Sequence, residues 1–187
     1  MQPPIPRQSG REQDIRRLDD GAGLSAELAA VVAGARRRAV RDGDRQIDTA
    51  HLLHTLLESD PEVRAVFDGG RQIARLLGYL VQRSIGYGLR WQSTVEDSGA
   101  HPVLTEADGF SPLAAAALEY ACERAARRGD DQARGIDLLA AIVVDPQARA
   151  VEVLARAGID ARDFSARIEN RAEGRLDEYA GDGGGTC

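Results

Sequence analysis

The chain has 187 residues and carries 24 basic side chains against 30 acidic ones, a net charge of −6. That length supports one sizeable core or two small ones, and the acidic balance argues against non-specific nucleic-acid binding as the main activity. Every basic side chain is Arg, so the missing Lys excludes a P-loop ATPase, a Schiff-base enzyme and a Ser-Lys hydrolase.

Aromatics are scarce while Ala, Leu and Val abound, which favours closely packed helices over a β-sandwich. No apolar run reaches membrane-spanning length, and the amino terminus lacks the apolar centre of a secretion signal. A cytoplasmic protein with no membrane partner is expected. Cys122 falls inside an Ala-rich helical stretch and Cys187 ends a Gly-rich tail, so no disulfide framework is expected.

In chain order, residues 1–23 combine Pro and charge without periodicity and read as a mobile arm. Ser25 is the N-cap of a first helix with Leu28, Val32, Ala35 and Ala39 on one stripe. Arg36, Arg37, Arg38 and Arg41 crowd its C-terminal half, and Gly43 stops it. Asp48 caps a second helix carrying Leu53, Leu56 and Leu57. Asp60-Pro61 starts a short third that ends at Gly69-Gly70, and a fourth carries Ile73, Leu76, Leu77, Leu80 and Val81. Residues 85–109 read as a connector, with Tyr87 and Trp91 packed back on a repeat.

The same script then runs again. Ser111-Pro112 opens a helix with Leu113, Ala117, Ala121 and Ala125 on its stripe, and Gly129 ends it. The next helix buries Leu139, Ile142 and Val143. Asp145-Pro146 is expected to restart the chain, a third helix holds Val151 and Leu154 up to Gly158, and Asp160 caps a fourth with Phe164 and Ile168. Residues 172–187 turn to Glu, Asp and Gly and read as a disordered tail. With an offset of about 86 residues the two stretches align Ser25 with Ser111, Arg38 with Arg124, Gly43-Asp44 with Gly129-Asp130, Gln46 with Gln132 and Leu52-Leu53 with Leu138-Leu139. The expectation is an all-α chain of eight helices, a tandem duplication with repeats over 24–84 and 110–171.

These residues resemble the Clp amino-terminal (Clp repeat) domain family. Leu24-Ser25 and Phe110-Ser111-Pro112 stand at the family's opening, and Gly43-Asp44 and Gly129-Asp130 at its turn. Ile47-Asp48-Thr49-Ala50-His51-Leu52-Leu53 matches its second-helix signature, and Val153 to Asp160 its close of helix three. The resemblance implies a paired four-helix head that receives substrates and adaptors for Clp proteases, here without the ATPase modules. In some branches each repeat binds phosphorylated arginine through the opening hydroxyl and a signature Glu. Ser25 and Ser111 keep the hydroxyls, but Ala50 and Ile136 replace the Glu and remove the guanidinium's partner. A second family surface, at the start of the first helix of repeat two, receives adaptors and cyclic-peptide antibiotics. Phe110 and Glu119 match it, while Ala115 replaces its basic residue.

Leu24, Ser25, Phe110, Ser111 and Glu119 are therefore the candidate ligand- or peptide-binding residues. Phe110 reads equally as a core anchor or an exposed docking aromatic. His51 and His54 lie three apart on one helix, but without a third ligand at a known spacing, so no metal and no cofactor is expected; His51 reads as structural. Ser25, Ser111 and Cys122 have no recognisable base beside them, so no enzyme is expected. The leading reading is a non-enzymatic module binding Clp components, adaptors, substrate proteins or cyclic peptides, as adaptor, competitor or decoy. The alternative is a small nucleic-acid-associated regulator acting through the Arg clusters at 36–38 and 127–128.

Overall fold

A computed structural model describes residues 23–84, 96 and 109–181 of the chain. The expected N-terminal arm, Tyr87, Trp91 and Cys187 lie outside the described residues, as does nearly all of the connector. Within them are eight helices and no strand: α1 (Ala26–Asp42), α2 (Thr49–Ser59), α3 (Pro61–Arg64), α4 (Gly70–Ser84), α5 (Pro112–Arg128), α6 (Gly135–Val144), α7 (Arg149–Arg156) and α8 (Ala161–Gly181).

Local chemistry sets the ends of the first helix in each repeat. The Ser25 hydroxyl accepts from the Leu28 amide at 3.2 Å and the Ser111 hydroxyl from that of Ala114 at 3.1 Å, so both serines are N-caps. Gly43 and Gly129 close the two helices at φ 74° and 86°, a left-handed conformation that only glycine adopts without strain. The stripe expected for α1 is buried (Leu28, Val32, Ala35, Ala39), and so is that of α5 (Leu113, Ala117, Ala121, Ala125). The second helix of each repeat is the spine. Every residue of α2 from Thr49 to Leu57, and of α6 from Gly135 to Val143, is buried. A helix buried on all sides sits in the middle of a bundle, and its polar residues there need partners.

Two boundaries differ from the sequence reading. Asp145-Pro146 does not open α7. The Asp145 side chain accepts from the Gln147 amide at 2.8 Å and its carbonyl from the Ala148 amide at 3.1 Å, closing a turn, and the helix begins at Arg149. An Asp-Pro pair opens a turn as readily as a helix. Burial of Ala150, Val153 and Leu154 sets the phase, leaving Val151 only partly buried. Helix α8 continues to Gly181, past the boundary at 171. Its Glu, Arg, Leu and Ala are good helix formers, a property that charge content alone hides.

The repeats share one hydrophobic core running from Leu24 to Ile168. Two reciprocal backbone clasps lock them together. Leu24 pairs in parallel with Ala133, through Ser25 N–H to the Ala133 carbonyl (2.9 Å) and Ala133 N–H to the Gly23 carbonyl (2.8 Å). Ile47 pairs with Phe110 in the same way, through Ile47 N–H to the Gly109 carbonyl and Ser111 N–H to the Ile47 carbonyl (2.8 Å). Under the repeat offset each clasp is the image of the other. Aromatic contact adds to the union, the Phe67 and Phe164 rings lying 4.6 Å apart.

At the hinge between first and second helices, the repeats meet one demand with different acceptors. The Asp48 amide donates to His51 Nδ1 (3.1 Å), whose Nε2 lies 3.0 Å from the Asp44 carboxylate. At the aligned position the Arg134 amide donates to Asp137 (3.0 Å), which takes two further bonds from Arg128 at 2.6 and 2.9 Å. The bonded Asp137 raises the Arg128 pKa beyond its usual value. Because Asp137 is fully buried, Asp137→Ala should strand Arg128 and the Arg134 amide and cost about 3–5 kcal/mol in urea unfolding, with Asp137→Asn losing less. Burial first, and then the charge of Arg38, push His54 down to about 4 against the pull of Glu58 and Asp42. The unfolded chain then binds this proton more readily. Stability should fall as pH drops from about 6.5 towards 4, by at most about 3 kcal/mol from this group, and His54→Gln should flatten that part of the profile.

Candidate peptide-binding site

The clasps put the predicted binding residues at the seam between repeats. Leu24 and Phe110 are the clasp residues themselves and are buried, so Phe110 is a core anchor and not an exposed docking aromatic. Ser25 is partly exposed, Ser111 fully buried, and Glu119 half-buried on α5. The Arg36 guanidinium, from α1, lies 5.8 Å from the Phe110 ring centroid, a cation–π arrangement. A residue-by-residue alignment misses it because the cation comes from the other repeat.

Each clasp also brings an opening serine beside the N-terminus of the other repeat's second helix. Around Ser111 this makes a closed junction. The carboxylate of Glu96, from the connector, is 4% exposed. It accepts from the Thr49 amide (2.9 Å), the Thr49 hydroxyl, the Ser111 hydroxyl (2.6 Å) and the Arg149 amide (2.6 Å). The starts of α2, α5 and α7 thus converge on one anion, where helix dipoles favour negative charge. Nothing in the sequence singled out Glu96, since its surroundings lack periodicity.

Around Ser25 the corresponding junction opens to the surface. A groove of about 870 Å³ is lined by Ser25, Glu27, Asp60, Glu62, Arg134 and Arg171 among others. Asp60 accepts from the Glu62 and Val63 amides at 2.8 and 3.1 Å and crowds the start of α6 so closely that a Cβ on Gly135 would overlap its carboxylate. Arg134 reaches Glu62 at 3.5 Å across the groove. The walls therefore offer both charge signs and an opening hydroxyl, features suited to an extended polypeptide. Ala50 and Ile136, at the signature Glu positions, are buried and add no carboxylate.

Beside the closed junction, ligand atoms of Asp44, Asp48 and His51 lie within 4.8 Å of one another. Guanidiniums already supply the balancing charge: Arg83 bonds both carboxylates, and Arg149 reaches Asp48 at 2.7 Å. Burial alone would raise the Asp48 pKa, but the His51 contact, the Arg83 charge and a bond from Arg149 hold it well below the carboxylate range. His54 faces elsewhere, its Nε2 3.4 Å from Glu58.

The Arg clusters are tied down locally. Arg38 pairs with Glu58; Arg127 lies over the Tyr120 ring at 5.1 Å; Arg128 binds Asp130 and Asp137. That pairing lessens the electrostatic footprint a nucleic-acid regulator needs. Burial, followed by Asp137 and Glu119, raises the Cys122 thiol pKa, the opposite of nucleophile activation.

The two serines now differ in what they hold. Ser25→Ala should lose one cap, about 1 kcal/mol. Ser111→Ala also removes a bond to a buried carboxylate and should lose about 2–3 kcal/mol, the difference being read from paired urea titrations.

No protein-family model matches the chain, and no curated protein sequence does. Among solved structures it is similar to the N-terminal domain of the caseinolytic protease associated chaperone ClpD from Arabidopsis thaliana. The TM-score is 0.57 at 18% identity, covering 81% of this chain and 95% of that domain. At that identity the likeness shows the fold: the eight-helix body has the architecture of a Clp N-terminal domain.

Proposed function

We propose that the protein is a non-enzymatic receptor for polypeptide segments in Clp-dependent proteolysis. The reading is carried by the match of its helical body to nearly the whole of a Clp N-terminal domain. Two features support it. The Ser25-side groove is lined by paired charges of both signs and is large enough for several residues of peptide. The opening hydroxyls serve as helix caps, and that of Ser111 is closed off against Glu96. A proteolytic partner or its adaptor would dock on this seam, along the Ser25 groove or on the α5 face near Glu119 and Arg36. Cyclic peptides of the kind the family receives are candidate ligands for the α5 face.

The purified protein, added to a bacterial Clp ATPase–protease degrading an adaptor-dependent substrate, should change the rate. Acceleration marks an adaptor, and inhibition that scales with added protein marks a competitor or decoy. An unchanged rate, with no binding of adaptor, substrate or cyclic peptide, would overturn the reading. Glu27→Arg, in the groove, and Glu119→Arg, on α5, leave the core intact and separate the two faces. The variant on the face that binds should lose about tenfold in affinity.

A further inference from the structure

A second groove runs along the outer side of repeat one, between α1 and α2. It encloses about 540 Å³ and is lined by Glu27, Ala30, Gly34 and Arg37 of α1 and by Thr55 and Glu58 of α2, among others. The four α1 residues, continued by Arg41, follow one another at alternating three- and four-residue steps, so they form one seam along the helix. The floor is shallow because the two helices approach closely: a Cβ on Gly34 would come within 2.6 Å of the Thr55 methyl. Its polar groups are already committed. The Thr55 hydroxyl donates to the His51 carbonyl (3.0 Å), the Ser59 hydroxyl donates to the Thr55 carbonyl (2.7 Å), and Arg38 pairs with Glu58. An extended peptide laid here would bring unbonded amides and carbonyls to a floor that has no hydroxyl to spare for them. A helix carries its own backbone bonds, and small residues at the contact let it settle at short range.

Charge identifies the helix. Glu27 and Arg37 are exposed and form no ion pair among the described residues. They stand five residues before and after Val32, while Ala30 and Gly34 stand two before and after it. A twofold axis at the level of Val32 therefore sets acid against base and small residue against small residue. Asp60 adds a carboxylate at the Glu27 end of the groove, and Arg41 adds a cation at the Arg37 end. A patch that complements itself in this way is the isologous kind that twofold dimers use.

We propose that this groove is the interface of a homodimer in which α1 of a second copy lies antiparallel against it. Glu27 of each chain then faces Arg37 of the other, and Ala30 faces Gly34. The inference does not rest on the receptor reading, and Ala30 and Arg37 lie outside the lining of the Ser25 groove.

The test is oligomeric state, followed by sedimentation equilibrium. The wild type should pass from monomer towards dimer between about 1 µM and 1 mM, as a small interface does. Glu27→Arg and Arg37→Glu each bring like charges together at two symmetric places and should weaken the dimer about ten- to thirtyfold. Mixed in equal amounts, these two variants should form a heterodimer about as tight as the wild-type dimer, because every cross pair is then opposite in sign. Ala30→Gln puts a long side chain at the crossing and should leave the chain monomeric. All three positions are exposed, so the variants keep the fold, which helical circular dichroism checks. The proposal is overturned by a wild type that stays monomeric over that range, by a dimer indifferent to the three substitutions, or by mixed charge reversals that remain monomers.

Discussion

Everything described depends on two short backbone pairings, Leu24 with Ala133 and Ile47 with Phe110. Each ties the segment entering the first helix of one repeat to the segment entering the second helix of the other. The hydrogen bonds satisfy amides and carbonyls that would otherwise be buried without partners, a cost the fold cannot carry twice. They also set the register. Ser111 is brought beside Thr49, and Ser25 beside the start of α6, because the chain is held one residue before each serine and two before each second helix. The seam sites are thus a product of how the halves are joined, and neither half contains one alone.

The hinge chemistry shows how the halves have diverged under a shared backbone requirement. An acceptor at the third position of the second helix must cap the amide before it, and both His51 and Asp137 do so. Once that acceptor is chosen, its surroundings follow by charge. His51 has Asp42 and Asp44 nearby, while Asp137 has Arg124 and Arg128. Asp42 and Arg128 occupy aligned positions, so the swap is complementary. Buried networks of this kind tolerate paired change and penalise single change. The same divergence reaches the seam, where one junction is filled by Glu96 and the other is open.

Much of this was legible before any coordinates. Periodicity gave the helices, and the aligned Ser and Gly residues gave their caps, because capping is decided within a few residues and leaves a local signature. The apolar positions marked in α2 (Leu53, Leu56, Leu57) and α6 (Leu139, Ile142, Val143) are buried as expected, while the burial of His51, His54 and Asp137 was not legible. What escaped was non-local. Glu96 acts across 47 residues to Thr49 and 53 to Arg149, and nothing near it in the chain marks that use. Arg36 reaches Phe110 from the other repeat, and Phe110 itself is drawn into the core by its clasp. Asp145-Pro146 and the residues after 171 were misread because local composition there fits two conformations, and packing or helix propensity decides between them.

The reciprocity of the clasps bears on how such a molecule comes to exist. A solitary copy of the repeat has the same bonding needs at both entry segments and can meet them by associating with a twin about a twofold axis. Covalent fusion makes that partnership permanent and frees each twin to specialise. The chain then no longer needs concentration to hold its halves together, and one junction is filled by Glu96 while its counterpart opens to the surface.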